Sequence, residues 1–183
     1  MVKTVLENVR DVIAAGSMVI DSARSEILWL LPPQMLTYGR QFGLTEKSKV
    51  FVEKGGRVRG ITQIFKVDVP VVRVLLDIGE DVRHVDEYLG EFMLVADKKI
   101  SVSSIPQHAI YLEDLSLDDR VIWFWTDDPA YAEYLVTNFE SSWKEAIDAK
   151  QRIRAWGLKQ LFVFLLCRCL NDKFGTFLVW PLI

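Results

Sequence analysis

The chain has 183 residues, 50% of them hydrophobic and 26% charged, a composition that suits a folded domain with a core and excludes an intrinsically disordered one. Its net charge of −3 gives no bulk attraction for nucleic acid, so no nucleic-acid partner is expected. Two cysteines are too few for a disulfide-framed secreted module, and no apolar run near the N-terminus reads as a secretory signal, so a cytoplasmic protein is expected.

Charge is unevenly placed. Residues 1–150 carry 17 lysines and arginines against 24 aspartates and glutamates, whereas residues 151–183 carry five against one. Both cysteines, Cys167 and Cys169, fall in the last stretch. The pattern predicts an acidic globular domain over 1–153 and a basic, apolar tail over 154–183.

Val5, Val9, Val12, Gly16, Val19 and Ala23 recur at three- and four-residue steps, which predicts a helix over 5–23. Residues 26–31 form a short apolar run stopped by Pro32-Pro33, a buried strand. A helix over 35–54, broken near Gly43, ends at Gly55-Gly56. Residues 57–64 alternate and then turn apolar, a second strand. A short helix over 70–78 opens at Pro70 and stops at Gly79, and 81–85 form a third strand. Helices alternating with strands predict parallel pairing. The second half differs. Apolar runs at 91–96 and 99–103 flank Asp97-Lys98, a hairpin turn, and 109–112 and 120–125 read as two more strands. Asp127-Asp128-Pro129 opens a final helix with Tyr131, Leu135, Phe139, Trp143 and Ala146 on one face, running past Lys150. The expected fold is α/β: a mixed sheet, parallel in its first half and antiparallel in its second, flanked by helices.

Few residues carry chemistry. His84 and His108 lie too far apart in sequence for a paired zinc spacing, and Cys167-Arg168-Cys169 lacks both the usual two-residue gap and further cysteines. No metal or cofactor is expected. Gly55-Gly56 lacks the residues that complete a phosphate loop. Arg83 and His84 end the third strand and Thr62 the second, where ligands of open parallel sheets sit. Two readings stand for them: a rim that binds a small anionic or polar ligand, or an Arg83 ion pair to Asp86 or Glu87 with His84 buried on a backbone partner. Trp123 and Trp125 alternate onto one strand face, as a pocket wall or as core. The ligand-binding candidates are Thr62, Arg83, His84, Glu91 and Trp125.

The stretches Val82-Arg83-His84-Val85, Gly90-Glu91-Phe92-Met93-Leu94-Val95-Ala96-Asp97 and Ile100-Ser101-Val102-Ser103-Ser104 resemble a phospholipase D-like half-domain. Active members of that superfamily carry His-x-Lys followed by Asp in this hairpin. Here Leu89 or Gly90 stands at the histidine position and Glu91 near the lysine, and Asp97, beside Ala96, approximates the aspartate. The resemblance therefore implies a descendant that is not an enzyme. Gly55-Gly56-Arg57-Val58-Arg59-Gly60-Ile61-Thr62, Val82-Arg83-His84, Gly90-Glu91-Phe92 and residues 139–153, with Phe139, Trp143, Ala146 and Ile147, are similar to sensor modules of archaeal signal-transduction proteins. Such modules precede histidine kinases, and the sugar-sensing domains of archaeal transcription regulators share their layout. This implies a small-molecule ligand, a kinase or regulator partner, and output through a long C-terminal helix. A phosphoester-processing enzyme and a dimerisation or scaffold module are the alternatives.

The tail holds two apolar runs, 161–167 and 177–183, each shorter than the roughly 20 residues that span a bilayer. Three readings stand: an interfacial membrane anchor, docking on the domain or on a second copy in a homodimer, and a stretch without selected structure.

Overall fold

The computed structural model describes residues 3–6, 8–87, 92–104 and 122–156. The strand candidate at 109–112, His108, Glu91, both cysteines and both apolar runs of the tail lie outside the described residues.

The first compact unit ends at Ala149. Its strands are β1 (Lys3–Leu6), β2 (Glu26–Leu30), β3 (Arg57–Thr62), β4 (Asp81–His84), β5 (Met93–Ala96), β6 (Ile100–Ser104), β7 (Trp123–Thr126) and β8 (Ile147–Asp148). Its helices are α1 (Val9–Ser22), α2 (Pro33–Gln41), α3 (Leu44–Glu53), α4 (Val69–Asp77) and α5 (Pro129–Glu145). Among the described residues these strands form one sheet in the order β1-β7-β6-β5-β2-β3-β4-β8. β2, β3 and β4 are parallel, and every other pairing is antiparallel. The mixed sheet expected from the sequence is the observed one.

Local chemistry explains the boundaries. The Asn8 side chain accepts from the Asp11 backbone N–H at 3.1 Å, which starts α1 at Val9. Val5 and Leu6, expected to open the helix, instead belong to β1 and pair antiparallel with β7, because the Asn8 cap leaves them outside the helix and β7 offers an edge. The Asp128 side chain caps α5 through the Ala130 N–H at 3.0 Å, with Pro129 in the first turn.

The two faces of the sheet have separate cores. Leu28, Leu30, Ile61, Met93 and Val95 face α5, where they meet Ala132, Leu135, Val136, Phe139 and Trp143. The alternate residues Ile27, Trp29, Val58 and Leu94 face residues of α1 to α4.

Arg59 latches α5 to the sheet. Its side chain is 9% exposed. Nε donates to Glu26 at 3.0 Å, and the two terminal nitrogens reach both oxygens of Glu140 at 3.2 and 2.6 Å. The guanidinium also lies over the Phe139 and Trp143 rings at 5.4 and 5.3 Å. The Phe139–Trp143 motif thus serves docking of this helix.

The final helix departs from expectation. α5 stops at Glu145, Ala146 is extended, and Ile147–Asp148 pair with β4 before a helical stretch over 149–156. The unpaired outer edge of β4 takes up the two residues and breaks the expected continuous helix. In the second unit, Arg152 sits over the Trp156 ring at 4.9 Å. Among the described residues no helix is long and apolar enough to cross a membrane.

Arg59→Ala is expected to lower unfolding free energy by about 2 kcal/mol in urea denaturation, since it removes the charged hydrogen bonds to Glu26 and Glu140 and the cover over Phe139 and Trp143. Arg59→Lys is expected to recover only part of this loss, because it keeps the charge and loses the two-pronged contact.

Candidate functional site

The sequence candidates do not converge. Thr62 pairs with His84 and Ile61 with Arg83, so Arg83 shares the α5 face while His84 leaves on the opposite one. Arg83 donates to the Trp143 carbonyl at 2.7 Å and stacks on its ring at 4.2 Å. His84 is 1% exposed. Its Nδ1 accepts from the Ile64 N–H at 2.9 Å, which places the ring proton on Nε2, 3.0 Å from Asp86. Thr62 is buried and its hydroxyl donates to the Gln63 carbonyl at 3.4 Å. Trp125, on β7, lies five strand positions from β4, about 24 Å away. Its indole N–H is shielded from solvent and has no hydrogen-bond partner among the described residues. Consecutive residues of one strand cannot line one rim, and that geometry separates Arg83 from His84.

Asp97, the one residue that approximates the phospholipase D motif, is engaged elsewhere. It opens the β5–β6 turn with φ 50°, followed by Lys98 at 57°. Its carboxylate accepts from the backbone N–H groups of Arg24, Ser25 and Glu26 at 2.7, 2.9 and 2.8 Å and from the Ser25 hydroxyl at 2.7 Å. Burial raises its pKa, and these hydrogen bonds outweigh burial and hold it below the ordinary value. The carboxylate clamps the α1–β2 turn at the N-terminal end of β2, the opposite end of the parallel strands from His84.

A cavity of 80 Å³ opens between the sheet and α1 to α4. Its walls are aliphatic and aromatic, with Val12, Ile13, Leu36, Leu44, Leu75 and Leu94 among them. Glu80 lines it and is 5% exposed. Its Oε1 accepts from the Ser48 hydroxyl at 2.5 Å and its Oε2 from the Trp29 indole N–H at 3.0 Å. Burial pushes the carboxyl up to about 7, against the pull of these two bonds. Trp29 reaches Glu80 by lying across β3 at Gly60, where a Cβ would stand 2.0 Å from the indole. Glu80 was not legible as a site residue, because between Gly79 and Asp81 it reads as a turn acid.

The architecture is the phospholipase D-like fold. Three solved structures share it: TrmBL2, an archaeal chromatin protein with a novel mode of DNA binding (TM-score 0.61, 15% identity), NUC from Salmonella typhimurium, a phospholipase D family member (0.56, 13%), and NucT from Helicobacter pylori (0.58, 11%). Each likeness covers 80% of this chain, and 54%, 98% and 98% of the respective neighbour. The chain thus accounts for about half of TrmBL2 and nearly all of the other two. No protein-family model and no curated protein sequence matches it.

Two exclusions drawn from the sequence are corrected by these likenesses. The chain was expected not to be an enzyme because His-x-Lys is missing. Its fold is that of a phospholipase D family member over nearly all of that protein, which overturns the exclusion. A nucleic-acid partner was excluded on net charge. TrmBL2 binds DNA and shares the fold, so a charge averaged over the chain is no ground for exclusion.

The Glu80 carboxyl makes stability depend on pH in a defined direction. Its native pKa of about 7 lies above the ordinary 4.5, so the native state holds a proton that the unfolded state releases. Stability from this source is full below the unfolded value and is lost as pH rises through the native one, by about 3 kcal/mol between roughly pH 4 and pH 8. Glu80→Gln is expected to remove that dependence and to be the more stable protein at pH 8, as read by urea denaturation at both pH values. Gly60→Ala is expected to destabilise by about 2–3 kcal/mol, because the Trp29 ring must leave its place.

Proposed function

We propose that this chain is a cytoplasmic ligand-sensing module of the phospholipase D-like fold, working in signal transduction or transcription regulation, with the Glu80 cavity as its ligand site. One observation carries the reading: two helix-interior glycines, Gly16 on α1 and Gly39 on α2, line the cavity. A Cβ at Gly16 would meet Leu94 and Leu44 at 3.5 and 3.7 Å, and one at Gly39 would meet Leu44 at 3.9 Å. These are ordinary contacts, so alanine fits at both positions. A glycine inside a helix costs about 0.5–1 kcal/mol relative to alanine. The chain bears that cost twice, at positions where a methyl group would narrow one cavity, as a cavity kept for a ligand requires.

The likeness to TrmBL2 supports a regulatory use of the fold. A ligand between the sheet and α1 to α4 would favour one placement of these helices over another, which a kinase, a regulator or a second copy of the chain could read. A second reading, a phosphoester-processing enzyme, is favoured by the 98% coverage of NUC and NucT. Hydrolysis of bis(p-nitrophenyl) phosphate above background by purified protein would select it.

The cavity reading is tested by a thermal-shift screen of small organic compounds on wild type, Gly16→Ala and Gly39→Ala, with xenon uptake followed by NMR. Both variants are expected to melt about 1–4 °C higher without ligand, from helix propensity. Compounds that protect wild type are expected to protect the variants less. A flat screen together with no xenon entry would reject the site.

A further inference from the structure

We propose that the cavity receives a small primary ammonium ion with a short aliphatic body, its nitrogen seated on the Glu80 carboxylate. The inference rests on the reading of the cavity as a ligand site and adds the ligand's chemical class.

Among the described residues, those that line the cavity carry one ionisable side chain, Glu80, and no lysine, arginine or histidine. Both groups that hydrogen-bond Glu80, the Ser48 hydroxyl and the Trp29 indole, are neutral donors. A buried carboxylate with two neutral donors lacks a counter-charge, and such a charge is stable only when paired. A carboxylate has about four acceptor positions, of which the described residues occupy two. The open positions call for N–H or O–H donors carrying positive charge.

Ligand classes differ sharply here. An anionic ligand meets like charge with no cation to relieve it. A neutral alcohol offers one donor and no charge. A primary ammonium offers three donors and the missing counter-charge. Thr45, one turn before Ser48 on α3, also lines the cavity and supplies a second hydroxyl to its wall.

Size and wall set the rest of the molecule. A single water-sized group needs about 10–15 Å³ to enter, so 80 Å³ admits a short chain and excludes a bulky one. The remaining wall is dominated by Val12, Ile13, Leu36, Leu44, Leu75 and Leu94, which favours hydrocarbon over a polar chain. The titration of Glu80 agrees with this: a carboxyl that keeps its proton near neutrality when empty gives it up when a cation arrives.

The experiment titrates n-butylammonium, n-butanol and butyrate against the full chain and against Glu80→Gln, by calorimetry and by NMR shifts of the lining methyl groups, near pH 7.5. Glu80→Gln is isosteric, and its backbone spectrum verifies the fold. Wild type is expected to bind butylammonium at least about tenfold more tightly than butanol, and to reject butyrate. In Glu80→Gln the ammonium affinity is expected to fall at least about tenfold while butanol changes less than about twofold. Butanol binding as tightly as the ammonium, a preference for butyrate, or an ammonium affinity unchanged in Glu80→Gln would overturn the cation assignment and leave the ligand site standing. If none of the three binds and xenon also fails to enter, the site itself falls, and the assignment with it.

Discussion

The hydrogen bond from the Trp29 indole to Glu80 constrains three elements at once. Trp29 sits on β2, Glu80 just before β4, and the indole must cross β3 to join them. The crossing is possible because β3 carries Gly60 at that point, with no side chain beneath the ring. Ser48 on α3 then donates to the other carboxyl oxygen. A helix, a central strand and the turn before a third strand therefore meet on one carboxyl group. Helix α3 packs over that group and helps to roof the cavity.

The two faces of the sheet are finished differently. On the α5 side, large side chains fill the space, and Arg59 and Arg83 grip the helix through Glu140 and Trp143. Both guanidiniums stack on the Trp143 ring, so one aromatic residue anchors the end of α5. On the other side, four short helices meet around glycines and leave a space. Packing of protein interiors is normally dense enough that a void lined by hydrocarbon loses contact energy. A face that tolerates such a void is a face with room for something else.

Most of the fold was legible because its signals are local. Periodicity, the Asp128-Pro129 helix start, the Asp97-Lys98 hairpin and the proline and glycine stops each act within a few residues, and the mixed sheet follows from their order. β1 and β8 were not legible, since both exist by pairing with distant edges, β7 and β4. The site was less legible than the fold. Reading Arg83 and His84 as one rim overlooked the alternation of a strand, which sends neighbours to opposite faces. Glu80 owes its burial to Trp29, 51 positions earlier, and no local pattern announces a contact of that kind.

Asp97 shows how chemistry and architecture separate in this chain. A carboxylate beside the β5–β6 turn sits where the phospholipase D resemblance draws attention, yet its oxygens are taken up by the backbone of residues 24–26 and the Ser25 hydroxyl. A carboxylate that accepts four hydrogen bonds from a turn is a weak base and a fixed one. Glu80 has the opposite environment, with two neutral donors, an apolar wall and a pKa raised to about 7. Of these two carboxylates, the one without a motif is the one whose charge changes near neutral pH. The fold thus holds one carboxylate as a structural tie at the start of β2, and another, on the α1 to α4 face, in an apolar setting that raises its pKa to about 7.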